Sequence, residues 1–407
     1  MADGAHRRCV ISGLGCVSAA GHGVAALWTK VRAGESAVKP LCLPRLEHQQ
    51  VKTAAHFPGF DAASCLDKPL ADSTDRFTQF ALLAAAEAIG QAQAQAPLVF
   101  GDRMGVIIGS GIGGAVTSDD QHYKFYVAKT RTDPMTIPRV MPNAAASHIS
   151  MRYGATGPCF AVSSACSSAS QAIGLGLQML RARLIDTCIV GGSEALLAPA
   201  FFRAWESLRV MTSTLCRPFS RNRNGMVLGE GAGVLVIEAE DACLARGAQP
   251  LALLAGYGTS SDAQDIVRPD AEGAARSMAL ALSDAGLEPH EVDYVNAHGT
   301  GTILNDSCES AALTKVFGPG LPGIAVSSTK PIHGHTLGAA GAIELIVAIC
   351  ALREQLAPPT INWLEADPSC IADPVPNAAR PRSIAAALSN SFAFGGINAC
   401  LAVTAYA

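Results

Sequence analysis

One cysteine, one lysine and three histidines stand in short, small-residue stretches of this chain. Cys166 lies in AVSSACSSASQAIG, where a β-like run meets a helix of small residues. A thiol at a helix N-terminus feels the positive end of the dipole, which lowers its pKa and favours the thiolate. The flanking Ser and Ala leave room for a substrate. His298 follows a short strand in NAHGTGTILNDSCES (296–310), where Gly299 and Gly301 permit close approach of backbone or ligand. Lys330, His333 and His335 crowd STKPIHGHTLGAAGAIE (328–344) ahead of an Ala/Gly helix, and SNSFAFGGINA (389–399) is a Gly-rich turn whose N–H groups suit an anion. Each stretch has an ordinary reading: a Cys at a helix start is usually packing, a lone His a cap or a satisfied core imidazole. Metal ligation competes for the histidines, but no carboxylate-rich or Cys-paired ligand set accompanies them, so no metal is expected. Together they form the set acyl transfer needs: a thiolate to form a thioester, donors for a carbonyl oxygen, and an oxyanion site.

Positioning such groups requires strands that end beside one another, and the chain carries the pattern twice. CVISGLG (9–15), the helical FTQFALLAAAEAIGQA (77–92) and GVIIGSGIGG (105–114) are echoed by LALLAGYG (251–258), SMALALSDAGL (277–287) and DYVNAHGTGT (293–302). CSSASQAIGLGLQML (166–180) and TCIVGG (187–192) are echoed by GAAGAIELIVAICALREQ (338–355) and SIAAALSN (383–390). Alternating strands and helices imply parallel sheet covered by helices. Two copies imply two packed α/β halves, residues 1–248 with the cysteine and 249–407 with the two histidines. The stretch 115–160 lacks clean periodicity and reads as a cap or dimer insertion. The Pro-rich stretch 356–382 reads as a surface connection.

Composition narrows the class. Nearly half the residues are apolar (49%) while aromatics are only 5%, which suits close helix-on-sheet packing. A net charge of −4 gives no nucleic-acid footprint. No signal-peptide h-region and no run of 18 apolar residues is present, so membrane insertion is not expected. Thirteen cysteines without CxxC pairs or an export signal fit the reducing cytoplasm.

The four segments, with IIGSGIGG, GGSEA and NGMVLGEGAGVLVIE (224–238), resemble the elongating β-ketoacyl-acyl carrier protein synthases, the synthase II-like branch related to bacterial polyketide and aryl polyene ketosynthases. The likeness runs from about residue 8 to 405. It implies a thiolase-like duplicated αβαβα layered α/β fold with mixed five-stranded sheets. It also implies a decarboxylative Claisen condensation of a Cys-bound acyl group with malonyl-acyl carrier protein. Cys166 matches the nucleophile; His298 and His335 match the histidines that bind the malonyl thioester carbonyl; Lys330 matches the family lysine, with Asp306 and Glu309 the carboxylates near it. The N–H groups of Cys166 and Phe394 match the oxyanion hole. Phe394, with Gly395 and Gly396, also matches the gate over the thiol. Thr300 and Thr302 match hydroxyls on the phosphopantetheine arm, Ile112 and Trp205 the acyl pocket, and Arg209 and Lys68 carrier-protein contacts. The partners implied are acyl- and malonyl-loaded carrier protein and a second copy of the chain, or a homologue in a heterodimer. No cofactor of its own is required, since the carrier supplies the phosphopantetheine. Asn296 and Glu344 offer oxygens to a monovalent cation, but their spacing demands none.

Departures bear on the substrate. The gate reads Ala393-Phe394-Gly395-Gly396 and is followed by Ile397, where the housekeeping pattern has glycine first and threonine last. RPFSRNRNGM (217–226) lacks the usual acidic residues, Met226 replaces an aromatic, and Pro331 after Lys330 resembles specialised ketosynthases. Among rivals, a non-catalytic chain-length partner would ordinarily lose the nucleophile. A thiolase would carry a C-terminal Cys-Gly-x-Gly segment that SFAFGGINA lacks.

Overall fold

The computed structural model describes residues 7–406. Ten strands carry the architecture: β1 (Cys9–Ser18), β2 (Met104–Gly109), β3 (Cys159–Val162), β4 (Thr187–Glu194), β5 (Gly231–Ala239), β6 (Ala252–Ser261), β7 (Tyr294–Asn296), β8 (Ala325–Ser327), β9 (Ala386–Ala393) and β10 (Ile397–Thr404). The first five lie in the order β3-β2-β4-β5-β1, the second five in the order β8-β7-β9-β10-β6. In each array the first three strands are parallel and the last two antiparallel. The same order and the same senses occur twice, so the fold is duplicated as the repeated pattern implied. The arrays are not separate: β1 and β6 pair at Val10↔Leu253 and Ile11↔Ala252, making one continuous sheet.

Helices complete five layers. Outer helices α1 (Arg76–Gln93) and α3 (Ala271–Ala285) cover β1 with β5 and β6 with β10 respectively, and α4 (Ile303–Phe317) lies against α3. Helices α2 (Ser168–Arg181) and α5 (Ala340–Glu354) form the middle layer, each touching strands of both arrays. Helix α5 buries every residue from Ala340 to Ile349, Glu344 included, as a helix enclosed on all sides must. The stretch 115–160 is largely helical, with helices at Ala115–Tyr126, Thr136–Val140 and Ala144–Tyr153.

Matched glycines let the outer helices lie directly on the strands. An added Cβ would meet Ala88 O at 2.0 Å from Gly13 and Ala84 O at 1.9 Å from Gly15. In the second half it would meet Ala281 O at 2.4 Å from Gly256 and Ser277 O at 2.0 Å from Gly258. Neither contact can be relieved without moving a helix. Gly15→Ala and Gly258→Ala should therefore each destabilise by at least the ~1–3 kcal/mol typical of overpacking. Gly90→Ala, in α1 with open space around it, should instead stabilise by about 1 kcal/mol. Urea midpoints of the three variants check both signs.

Candidate active site

All four chemistry-bearing segments leave the carboxyl ends of parallel strands, where open α/β sheets place their sites. Cys166 follows β3, His298 follows β7, Lys330 to His335 follow β8, and Phe394 follows β9. Cys166 sits in a 3-10 turn, Ala165–Ser167, that opens α2. The serines around it also pin the turn. Ser168 Oγ accepts from Ser164 N–H at 2.9 Å and donates to Ala165 O at 2.7 Å, and Ser167 Oγ donates to Ser164 O at 2.8 Å. The equivalent turn before α5 is Leu337–Ala339. Both turns begin with a non-glycine residue at φ 49°, Ala165 and Leu337. The left-handed region costs an L-residue roughly 1–2 kcal/mol, so each half holds local strain at the head of its middle helix.

The two heads meet. His335 Nε2 lies 3.1 Å from Cys166 Sγ, and Leu337 N–H donates to His335 Nδ1 at 3.3 Å. An Nδ1 that accepts leaves the proton of a neutral imidazole on Nε2, so His335 presents a donor to the reacting centre. His298 packs edge-on to His335 with centroids 5.3 Å apart. Its backbone N–H and that of Gly299 are held by Glu309 at 2.8 and 2.7 Å. Asp306 accepts from Phe219 N–H at 2.8 Å and Gly301 N–H at 3.2 Å. The two carboxylates thus set the His298–Gly301 loop through its backbone. Neither bonds Lys330: the fully buried Lys330 ammonium pairs with Glu344 of α5.

Electrostatics follow from enclosure. Burial holds His298 and His335 well below the ordinary imidazole value, and the Lys330 charge pushes the same way. Burial lifts Glu309 and Glu344 to about 7 and Asp306 to about 6. It also pushes the Cys166 thiol up to about 12, against the Lys330 ammonium and the Phe394 N–H that bonds it. The expectation of a lowered thiol pKa is therefore corrected: the helix terminus is present, but the desolvation of a buried thiol outweighs it.

A cavity of about 250 Å³ opens over these groups, lined by Cys166, His298, His335, Thr300, Thr302 and Phe394 among others. Thr300 and Thr302 hydroxyls lie 2.9 Å apart. Trp205 also lines it and stacks on Phe394, centroids 6.0 Å apart at 20°. Gly395 and Gly396 carry the gate turn at φ 86° and 65°, and Gly395 N–H donates to Ile266 O at 2.7 Å. Arg209 stands exposed at the mouth, whereas Lys68 is exposed and does not line the cavity. Ile112 does not line it either. Glu194 holds the Ser110–Ile112 turn by its N–H groups and leaves the Ile112 side chain 41% exposed.

Two donor sets are of metal type. Cys166 Sγ and ring nitrogens of His298 and His335 lie within 4.8 Å of one another, but the neighbouring ammonium of Lys330 opposes a dication there. Asn296 Oδ1, Glu344 Oε2, Ser389 Oγ and Asn390 Oδ1 are buried oxygens with no hydrogen-bond partner. Oxygens of that kind are the hard donors an alkali or alkaline-earth ion takes, but Ser389 and Asn390 are successive strand residues and face opposite sides of β9. Sequence reasoning passed over Glu344 as the partner of Lys330, and over Glu194. The available signal was a lone carboxylate inside an otherwise apolar helix or strand end, which burial forces to find a partner.

The comparisons with known proteins meet this geometry. Residues 6–242 match the family described as Beta-ketoacyl synthase, N-terminal domain, and residues 251–364 match Beta-ketoacyl synthase, C-terminal domain. The chain belongs to the β-ketoacyl synthase family. It is 41% identical over 404 residues to Nodulation protein E of Rhizobium sp. (strain N33), covering 97% of this chain and 98% of the relative. It is 38% identical over 404 residues to 3-oxoacyl-[acyl-carrier-protein] synthase 2 of Staphylococcus aureus (strain COL), with the same coverage. The solved ishigamide ketosynthase/chain length factor superposes with a TM-score of 0.93 at 33% identity, over 99% of this chain and 100% of that one. The fold is thus the thiolase-like one, and the protein is a ketosynthase, an acyltransferase that lengthens acyl chains by Claisen condensation.

Two outcomes follow for this ketosynthase. Because burial holds both imidazoles well below their ordinary pKa of 6.5, malonyl decarboxylation between about pH 6 and about pH 8 should show no imidazole limb, and a limb near 7 should belong to the Glu309 and Glu344 carboxyls. A stopped assay across that range would expose any acid limb near 6.5. Trp205→Ala removes the ring that backs Phe394, and should raise the rate of Cys166 alkylation by iodoacetamide several-fold, read by mass spectrometry.

Proposed function

We propose that Cys166 carries the growing acyl chain and that His298 and His335 drive decarboxylation of malonyl-carrier protein. The observation that carries this reading is the 3.1 Å approach of a donor Nε2 on His335 to Cys166 Sγ at the buried end of the cavity. In the loading step, Cys166 Sγ attacks the thioester carbonyl, and its proton passes to the departing pantetheine sulfur. The N–H groups of Cys166 and Phe394 stabilise the oxyanion. In the second step carbon dioxide leaves the malonyl group, and the enolate oxygen takes hydrogen bonds from the two imidazoles. The enolate carbon then attacks the acyl carbonyl, and the Cys166 sulfur leaves and regains a proton. Burial, with the Lys330 ammonium pushing the same way, keeps the imidazoles unprotonated, and Glu344 pairs that ammonium. Asp306 and Glu309 hold the His298 loop, which also presents Thr300 and Thr302 to the phosphopantetheine arm.

The same reading covers assembly. Residues 1–248 and 249–407 act as the two halves, residues 1–6 lying outside those described. The substrates arrive on an acyl carrier protein, met at the mouth by Arg209, and no cofactor of the enzyme's own is needed. A cytoplasmic site of action agrees with a relative named for acyl-carrier-protein chemistry. No helix among the described residues is long and apolar enough to cross a membrane. Strand β3 is the outer edge of the sheet with Phe160 exposed, and the adjoining helix Ala144–Tyr153 leaves Met151 exposed. That exposed apolar edge supports a homodimer, with a second copy of the chain pairing along it. The ishigamide ketosynthase/chain length factor favours a homologue there as the alternative.

Intact-protein mass spectrometry after incubation with acyl-carrier proteins, from acetyl to long and polyunsaturated, tests the nucleophile. A mass gain that vanishes in Cys166→Ala is expected, and its chain-length profile names the substrate class. A stable thioester adduct on the Cys166→Ala protein would sink the assignment.

A further inference from the structure

We infer that Glu194, a residue that touches none of the reacting groups, positions His335 by anchoring the turn that fixes its tautomer. Glu194 is the last residue of β4 and is fully buried. One carboxylate oxygen, Oε2, accepts from Gly111 N–H at 2.6 Å and from Gly338 N–H at 3.0 Å. The other, Oε1, accepts from Ser110 Oγ at 3.2 Å and from Ile112 N–H at 3.3 Å. Four donors from two turns thus converge on one group of three atoms. The space around it is cut to fit. A Cβ on Gly338 would lie 2.5 Å from Oε2 and 2.4 Å from Gly111 N, and a Cβ on Gly111 would lie 2.8 Å from Oε2.

Gly338 follows Leu337, whose N–H holds His335 Nδ1 and whose φ of 49° is one that L-residues seldom keep without support. The Glu194–Gly338 bond supplies that support one residue away. If it is lost, the Leu337 N–H is free to leave Nδ1. The imidazole proton can then sit on either nitrogen. With the proton on Nδ1, Nε2 becomes an acceptor for the Cys166 S–H. That arrangement favours thiol attack and removes the donor that the enolate needs. The two half-reactions should therefore part company.

Glu194→Gln makes the test in the full-length protein. Its side chain keeps the length but has one acceptor oxygen and an NH₂ that faces backbone N–H groups. This inference rests on the reading of His335 as an enolate donor, so one readout is independent of activity. Nitrogen-15 histidine spectra of the resting protein, with His335 assigned from His335→Ala, report the tautomer directly. Wild type should show Nε2–H alone, and Glu194→Gln a mixture. Malonyl-carrier decarboxylation should lose at least tenfold in kcat with little change in KM, while acylation of Cys166 stays level or quickens. Ser110→Ala, which removes one of the four donors, should show a smaller change of the same kind, and serves if Glu194→Gln does not fold. An unchanged tautomer, or both half-reactions falling together, overturns the inference. If His335→Ala still decarboxylates at the wild-type rate, the catalytic reading fails while the tautomer result stands on its own.

Discussion

Everything in this molecule depends on how closely two helices can lie between two sheets. The middle layer of α2 and α5 has points of contact with no room for a side chain. An added Cβ would meet Ser168 C at 2.4 Å from Gly109, the Tyr257 ring at 2.5 Å from Gly174, and Ser170 Oγ at 2.1 Å from Gly341. Around this layer Ile173, Leu177, Val190, Ile237, Ile343 and Leu401 form one buried cluster drawn from both halves. Removing such apolar surface from water is the main favourable term in folding. Here it does a second thing, since the helix heads it clamps together are those of Cys166 and His335.

The carboxyl groups of the site face backbone donors, and the imidazoles and thiol that face the cavity are held neutral by burial. Glu194, Glu309 and Asp306 accept from main-chain N–H groups of the loops that carry the reacting residues. Among the described residues two ion pairs here are buried on both sides, Lys330–Glu344 and Arg223–Asp306, and breaking one side of such a pair leaves an uncompensated charge. The arrangement keeps imidazole and thiol in their uncharged forms without exposing them to water.

Much of this was legible in the order of residues, and for a physical reason. The repeated strand–helix signal reports period and glycine spacing, both local properties, so the duplicated fold could be read from CVISGLG against LALLAGYG. The reacting segments could be found because strand exits with glycine and histidine are local as well. What failed was whatever depends on enclosure or on distant partners. The thiol of Cys166 was expected low because a helix terminus is visible in sequence and desolvation is not. Asp306 and Glu309 were expected near Lys330, and which groups they bond, main-chain N–H of the His298 loop foremost, has no letter in the sequence. Glu194 meets Gly338 across 144 positions, and Ile112 points outward because of that same carboxylate.

The paired strained turns at Ala165 and Leu337 carry a further consequence. Each belongs to a different half, and beside their packing Cys166 Sγ and His335 Nε2 lie 3.1 Å apart. Hydrogen bonding fades within a fraction of an ångström beyond such a separation. Catalytic competence is thus a vernier on the register between the halves. On warming, a slip too small to register in circular dichroism is enough to part the two atoms, so the enzyme should fall silent at temperatures where its sheets and helices are still intact.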